Sequence, residues 1–180
     1  MPSAFSHAVA GAALGALFRR PGPPAPFWLA GAACAVVPDL DVIGVWFGVP
    51  WGHMLGHRGI THSLTFAAAL AAIVTLVAFR GPRWRGHRLR VLVFLFVATA
   101  SHGVLDGLNR AALGVAFFAP FDDGRYFLPW RPLPVSPFAF RFFSARGLQV
   151  FKVELLWIWL PSALLLAAGW AARARRRSGR

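Results

Sequence analysis

The sequence predicts an all-α fold, a polytopic membrane bundle of four to five transmembrane helices with a re-entrant or interfacial excursion at about residues 111–149. Of the 180 residues, 57% are hydrophobic, and the mean hydropathy of +0.57 is too high for an ordinary soluble domain. The apolar residues fall in runs that arginine-rich or proline-rich connections separate, which is typical of transmembrane helices. This length suits one compact bundle, so we expect residues 1–180 to form a single domain.

The first two apolar segments are short. Residues 3–18 are rich in small side chains, and Gly11 and Gly15 have the small-xxx-small spacing of closely packed helices. After a proline-rich turn, a second apolar helix covers residues 27–37. We expect Pro38 to interrupt this helix, because proline has no backbone N–H to donate. Irregular backbone at membrane depth is tolerated only inside the protein or beside a cavity, so the break is a candidate for a buried site.

The rest of the chain contains three longer predicted spans and two connecting segments. Residues 60–79 and 91–108 are predicted spans, and residues 150–172 form the last one. The Trp/Gly/His-rich connection of residues 44–59 suits the membrane interface, where tryptophan is enriched. Residues 111–149 contain too many prolines and arginines for a span, so we expect them to be re-entrant or to lie on the membrane surface.

The arginines predict the orientation of the bundle. The chain contains 18 Arg and one Lys, and it has a net charge of +13. Twelve arginines lie in three places: at Arg19 and Arg20, in the loop of residues 80–90, and in the tail after residue 172. Cytoplasmic loops are enriched in Arg and Lys, so we expect these places, and with them the C-terminus, to be cytoplasmic.

The same arginines do not indicate nucleic-acid binding, because no soluble segment combines a basic face with interleaved aromatic residues. We therefore expect no nucleic-acid partner. Cys34 is the only cysteine, which excludes a disulfide framework and a thiolate metal site within this sequence.

Seven polar residues lie in or beside the apolar segments and form the candidate site: His7, Asp39, Asp41, His57, His62, His102 and Asp106. A charged group at the bilayer centre costs roughly 2.5–3.5 kcal/mol on insertion scales, so such residues usually face the bundle interior and carry function. The predicted topology places all seven near the outer ends of four segments. Their convergence at one membrane depth predicts one shared metal site.

Mixed His/Asp ligation suits zinc, with manganese or iron as alternatives, rather than calcium. His102 and Asp106 lie at positions i and i+4 on one helix face, so both can bind one cation. We expect these two residues, with Asp39 and His62, to be ligands. Other candidates could complete this site or hold a second ion about 3.5–4 Å away: Asp41, His7 and His57.

Hydrolysis is the reaction that such a site favours, because a bound divalent ion lowers the pKa of water to about 7. Asp41 could be a ligand, orient a histidine or take a proton from water. Arg58 could hold an anionic substrate oxygen, since its planar guanidinium matches phosphate. We expect a membrane lipid or another lipid-linked phosphoester as the substrate.

Three motifs carry a family resemblance: Pro38-Asp39-Leu40-Asp41, His57-Arg58-Gly59-Ile60-Thr61-His62-Ser63-Leu64 and Ser101-His102-Gly103-Val104-Leu105-Asp106. Together they resemble the YdjM-like family of bacterial inner-membrane metal-dependent hydrolases. His7 and the stretch Pro120-Phe121-Asp122 followed by Arg125 are also similar to that family. The resemblance implies a multi-pass, metal-dependent hydrolase in the bacterial inner membrane.

A fainter similarity is to the zinc-dependent phospholipase C enzymes, which use an early His, an Asp, a later His and an HxxxD helix in the same order. The matching residues would be His7, Asp39, His62, His102 and Asp106. This sequence has no clear counterpart of that group's further His and HxxxE ligands. The similarity implies phosphodiester hydrolysis of a lipid.

Two non-enzymatic readings remain open at this point. Polar residues at membrane depth also mark metal-ion transporters, and a bound metal can tie together a membrane scaffold protein. The sequence does not define the oligomeric state, nor whether Glu154, Asp122 or Asp123 joins the site. We expect the aromatic run of residues 138–143 to contact the membrane rather than to form a substrate pocket.

Overall fold

A computed structural model describes residues 1–18, 25–137 and 139–178. Its α-helices are α1 Ala4–Leu14, α2 Ala25–Val36, α3 Val42–Trp46, α4 Leu64–Ala78, α5 Arg88–Gly107, α6 Ala145–Glu154 and α7 Leu160–Ser178. The described residues contain isolated bridges but no strand, so the all-α prediction is confirmed. Arg19, Arg20, Phe138, Arg180 and most of the predicted proline-rich turn lie outside the described residues.

Three helical stretches are long and apolar enough to cross a membrane: Ala25–Trp46, Arg88–Gly107 and Ala145–Arg175. Two shorter apolar helices, Ala4–Leu17 and Leu64–Ala78, accompany them. Large hydrophobic side chains of α4, including Ile73 and Leu76, are exposed, as expected of a helix that faces lipid. The fold is therefore a helical membrane bundle.

The centre of the bundle is formed by α1, α2 and α5, with α4 packed against α5 and the last helix against α1. Gly11 permits the close approach of α1 and α2, because a Cβ atom there would lie 2.4 Å from the Cβ of Ala35. At the start of α5, the Phe94 ring stacks on Phe27 with 4.2 Å between centroids. This aromatic core packs around the first half of α5. The polar residues at the other end of α5 belong to a separate cluster.

Pro38 interrupts α2 as predicted: the α-helix ends at Val36, and the backbone tightens into a 3₁₀ turn over Val37–Asp41 before α3 begins. Proline tolerates this position because the first residues of a helical turn lack intrahelical acceptors for their N–H groups. The predicted span of residues 60–79 starts later than expected, because Ile60–His62 is a 3₁₀ turn and α4 begins at Leu64.

The last helix begins at Ala145 rather than at residue 150, so the predicted end of the excursion at residue 149 is wrong. The Ser144 hydroxyl caps this start by accepting a hydrogen bond from the N–H of Gly147. The helix then passes through a π turn, Leu155–Trp159, into α7.

Candidate metal centre

The structure brings the seven predicted side chains together at one end of the bundle. α1 supplies His7, the 3₁₀ turn after α2 supplies the two aspartates, the segment before α4 supplies His57 and His62, and the end of α5 supplies His102 and Asp106. Two groups of three have ligand atoms within 4.8 Å of one another: His7, His102 and Asp106, and Asp39, His57 and His62. His7, His102 and Asp106 are completely buried.

The first group lies between α1 and α5. The imidazoles of His7 and His102 stack with 3.8 Å between ring centroids. His7 Nε2 lies 3.6 Å from Asp106 Oδ1. His102 and Asp106 occupy one face of α5 one turn apart, so a single ion can reach both.

His62 joins the two groups. Its Nε2 lies 3.0 Å from Nε2 of His102 and 3.5 Å from Oδ2 of Asp106. Asp39 Oδ1 lies 3.4 Å from His102 Nε2 and 3.8 Å from His62 Nε2. Two ligands bound tetrahedrally to zinc at about 2.0–2.1 Å are about 3.3–3.4 Å from each other, so these separations suit one shared ion.

The hydrogen bonds of the two histidines orient their lone pairs toward this point. His102 Nδ1 lies 2.7 Å from the carbonyl oxygen of Ala35, which can only accept, so Nδ1 carries the proton. His62 Nδ1 lies 3.2 Å from Oδ2 of Asp41, another acceptor. If both imidazoles are neutral with the proton on Nδ1, their Nε2 atoms present lone pairs to each other, and a cation shared by both would stabilise this arrangement.

Several other polar atoms of the cluster have no hydrogen-bond partner. Both nitrogens of His7, both carboxylate oxygens of Asp39 and Oδ1 of Asp106 are buried without a hydrogen-bond partner among the described residues, whereas Oδ2 of Asp106 forms an ion pair with Arg58. More than nine-tenths of buried polar groups in proteins have such a partner. Each of these atoms is a potential metal ligand, and the two groups that contain them could each hold an ion.

Asp41 has a different environment. It accepts hydrogen bonds from His57 Nδ1 at 2.9 Å, from the Arg58 N–H at 3.2 Å and from the Thr61 hydroxyl at 2.8 Å. It also faces His62 Nδ1. With these donors in place, Asp41 holds the 57–62 segment and orients His62, whereas Asp39 keeps both oxygens open.

Arg58 lies beside the cluster and is 1% exposed. Its backbone has a φ of +64°, a conformation that non-glycine residues rarely adopt. Its Nε lies 3.0 Å from Asp106 Oδ2, and its Nη1 donates to the carbonyl of Leu113. Nη2 is buried with no hydrogen-bond partner in the described part of the chain, so it is available to an anionic oxygen.

Arg125 is a positioning residue that the sequence indicated only through the family resemblance. Its guanidinium donates to five backbone carbonyls: those of Gly52, His53, His57, Arg58 and Gly114. These bonds fix the 52–58 segment against the excursion. No spacing rule predicts such contacts, because the acceptors are backbone atoms far away in the sequence.

The acidic residues that the sequence left open have other roles. Buried Glu154 accepts hydrogen bonds from the Ser3 N–H at 2.7 Å and from the Ser6 hydroxyl at 2.7 Å, at the N-terminus of α1. Asp122 accepts from the Tyr126 hydroxyl and the Gly124 N–H, and these hydrogen bonds lower its pKa. Asp123 is exposed. None of the three belongs to either group of potential metal ligands.

The fold and this cluster define a class: a helical membrane protein with a buried His/Asp cluster at one end of its bundle. The chain belongs to the YdjM inner membrane protein family, whose model matches residues 1–176. It is 38% identical over 175 residues to inner membrane protein YbcI of Escherichia coli (strain K12), a match that covers 96% of this chain and 99% of that protein. No solved structure matches the chain. The predicted family and inner-membrane location are thus confirmed.

Proposed function

We propose that this protein is a membrane-bound, metal-dependent hydrolase that acts on a lipid-linked phosphoester. Its ion would be zinc, with manganese or iron as alternatives, and its ligands would be His7, Asp39, His62, His102 and Asp106. The main support is the pair of Nε2 atoms of His62 and His102, 3.0 Å apart, with carboxylate oxygens of Asp39 and Asp106 close to them.

The charges of the cluster support a divalent cation. Asp39, Asp41 and Asp106 bring three carboxylates into the protein, and the buried guanidinium of Arg58 pairs with one of them, that of Asp106. Unbalanced buried charge is costly, so a site with neutral histidines needs further positive charge. Two groups of potential ligand atoms are present, so a second ion could be bound as well.

The residues around the ligands suit hydrolysis. When bound, a divalent ion supplies Lewis acidity and lowers the pKa of water to about 7. Asp41 would keep His62 in the tautomer that leaves Nε2 free. Arg58 would bind an anionic substrate oxygen through Nη2, and its Nε contact to Asp106 would hold the guanidinium in place.

A phosphoester in the membrane is the substrate that these features favour. Arg58 offers the planar donor that matches a phosphoryl group. The cluster lies at the ends of apolar helices, where a lipid headgroup is within reach. The ligands gather at one end of the bundle instead of lining a path through it, which favours an enzyme over a transporter.

A hydrolysis assay tests this function. Purified protein loaded with zinc is incubated with mixed micelles of phospholipids and isoprenoid phosphates, and the released phosphate or phosphoalcohol is measured. The variant Arg58→Lys removes the planar donor, and Arg85→Lys in an exposed loop is its matched control. We expect Arg58→Lys to lower kcat by about 10²-fold and to retain zinc.

Turnover in Arg58→Lys equal to that of Arg85→Lys would contradict the role of Arg58. Uptake of zinc into sealed vesicles without hydrolysis of any substrate would favour the transporter. Bound zinc with neither activity, together with unfolding on chelation, would favour the scaffold.

A further inference from the structure

A cavity of about 350 Å³ lies where the start of α1 meets the segment of residues 136–143. Its walls include Met1, Ala4, Phe5, Phe142 and Phe143. The rings of Phe5 and Phe142 are in contact, with 5.8 Å between centroids. The volume lies within the range of about 300–1,000 Å³ of small-molecule sites.

The chemistry of the walls suits a hydrocarbon. The polar side chains in the lining are those of Ser3 and Ser136, and both hydroxyls already have partners within the protein. Ser3 Oγ donates to Glu154, and Ser136 Oγ donates to the carbonyl of Pro137. No charged side chain lines the cavity and its lining is almost entirely apolar, so a polar ligand would lose its hydration and gain few hydrogen bonds in return.

The cavity is next to the His/Asp cluster. Ser3 in its wall is the N-cap of α1, and its carbonyl oxygen accepts a hydrogen bond from the N–H of His7 at 3.2 Å. A chain held in the cavity would therefore end near the ligand atoms.

Exposed side chains around the cavity fit an anionic lipid. Phe140 and Phe143 are 90% and 77% exposed, which suits contact with a bilayer. Arg141 and Arg146 are exposed on the same segment and on the first turn of α6. Arginines at a membrane surface attract anionic headgroups, so their charge is complementary to such a lipid.

We propose that this cavity binds one hydrocarbon chain of an anionic membrane lipid and thereby presents the lipid's phosphoryl group to the His/Asp cluster. The identity of this lipid as the substrate rests on the proposed hydrolase function. The aromatic segment thus forms a substrate pocket as well as a membrane contact.

Photolabelling tests this binding. The full-length protein is reconstituted into vesicles of phosphatidylethanolamine and phosphatidylglycerol that contain phosphatidylglycerol with a diazirine in one acyl chain. After illumination, labelled residues are mapped by mass spectrometry, and zinc is measured on the same samples. Ala4→Trp fills the cavity from the exposed first turn of α1. Ala68→Trp, on the exposed face of α4, is the matched control.

We expect label at Phe5 and Phe142, reduced about tenfold by Ala4→Trp and unchanged by Ala68→Trp, with zinc retained in both variants. Label on α4 should be the same in all samples. A zinc-loaded protein without label at Phe5 and Phe142, or with label that Ala4→Trp does not reduce, would overturn the inference and leave the hydrolase proposal intact. Cavity label in a protein that binds no zinc would overturn the presentation to a metal site and the hydrolase proposal with it.

Discussion

Asp39 and Asp41 show how two similar residues, two positions apart, receive different roles. Both oxygens of Asp39 are buried without a hydrogen-bond partner among the described residues, whereas Asp41 accepts from His57, the Arg58 N–H and Thr61. Asp39 is therefore suited to bind an ion and Asp41 to orient the histidines that do so.

The variant Asp41→Asn tests this division. An amide keeps the size of the side chain but loses the negative charge, so His62 is oriented less firmly. We expect zinc affinity to fall by about 10–100-fold while the protein stays folded. Competition with a fluorescent zinc chelator measures this change. Asp122→Asn, an exposed aspartate outside the cluster, should behave as wild type, and a zinc affinity for Asp41→Asn equal to that of this control would contradict the role of Asp41.

The sequence predicted the residues that the structure brings together, but it left open whether Asp41 is a ligand, orients a histidine or takes a proton from water. Scarcity of charge in apolar segments was sufficient to select His7, His62, His102 and Asp106. The role of each residue depends on which atom faces which partner, and His102 is oriented by a backbone carbonyl, that of Ala35. Such a partner has no signature in the sequence.

At the scale of elements, the position of the cluster depends on how closely α1 approaches its neighbours. His7 reaches His102 only because α1 lies against α2 and α5. Gly11 lies one turn beyond His7 and permits this approach, since a Cβ there would also lie 2.6 Å from the carbonyl oxygen of Gly31. The small-residue spacing in the first segment predicted this packing.

Gly11→Ala should therefore destabilise the bundle, although alanine favours helix formation. The methyl group forces α1 away from α2, and we expect a loss of about 1–3 kcal/mol in the free energy of unfolding. Thermal or denaturant unfolding in detergent measures it. Gly81→Ala is the control, because a Cβ at Gly81 would meet no atom within 4 Å. Equal stability of the two variants would show that α1 and α2 do not pack as described.

The start of the last helix was the element that sequence reasoning placed wrongly. Residues 145–149 contain one large apolar side chain, Leu148, so hydropathy alone assigns them to the excursion. Their helix is defined by the Ser144 cap and by the close approach of Gly147 to the Phe142 carbonyl. These are local contacts that a hydropathy average does not contain.

For the whole molecule, the arginine distribution predicts that the cluster lies near the outer face and that the loop between α4 and α5 is cytoplasmic. Cys34 is buried and gives a low background for thiol labelling. In right-side-out vesicles, a membrane-impermeant maleimide should label Asp123→Cys but label Arg85→Cys only after permeabilisation. Both positions are exposed, so they form a matched pair. The reverse pattern would invert the topology.

The central claim is that the His/Asp cluster binds a metal ion, and metal content tests it most directly. The protein is purified in detergent without metal-affinity chromatography, and bound metals are measured by mass spectrometry. The proteins compared are wild type, the double variant His62→Ala/His102→Ala and the control His53→Ala. The His53 side chain is exposed and lies outside the cluster. We predict stoichiometric zinc, manganese or iron in wild type and His53→Ala, and its loss from a double variant that remains folded. Absence of metal from wild type, or equal metal in all three proteins, would contradict the account.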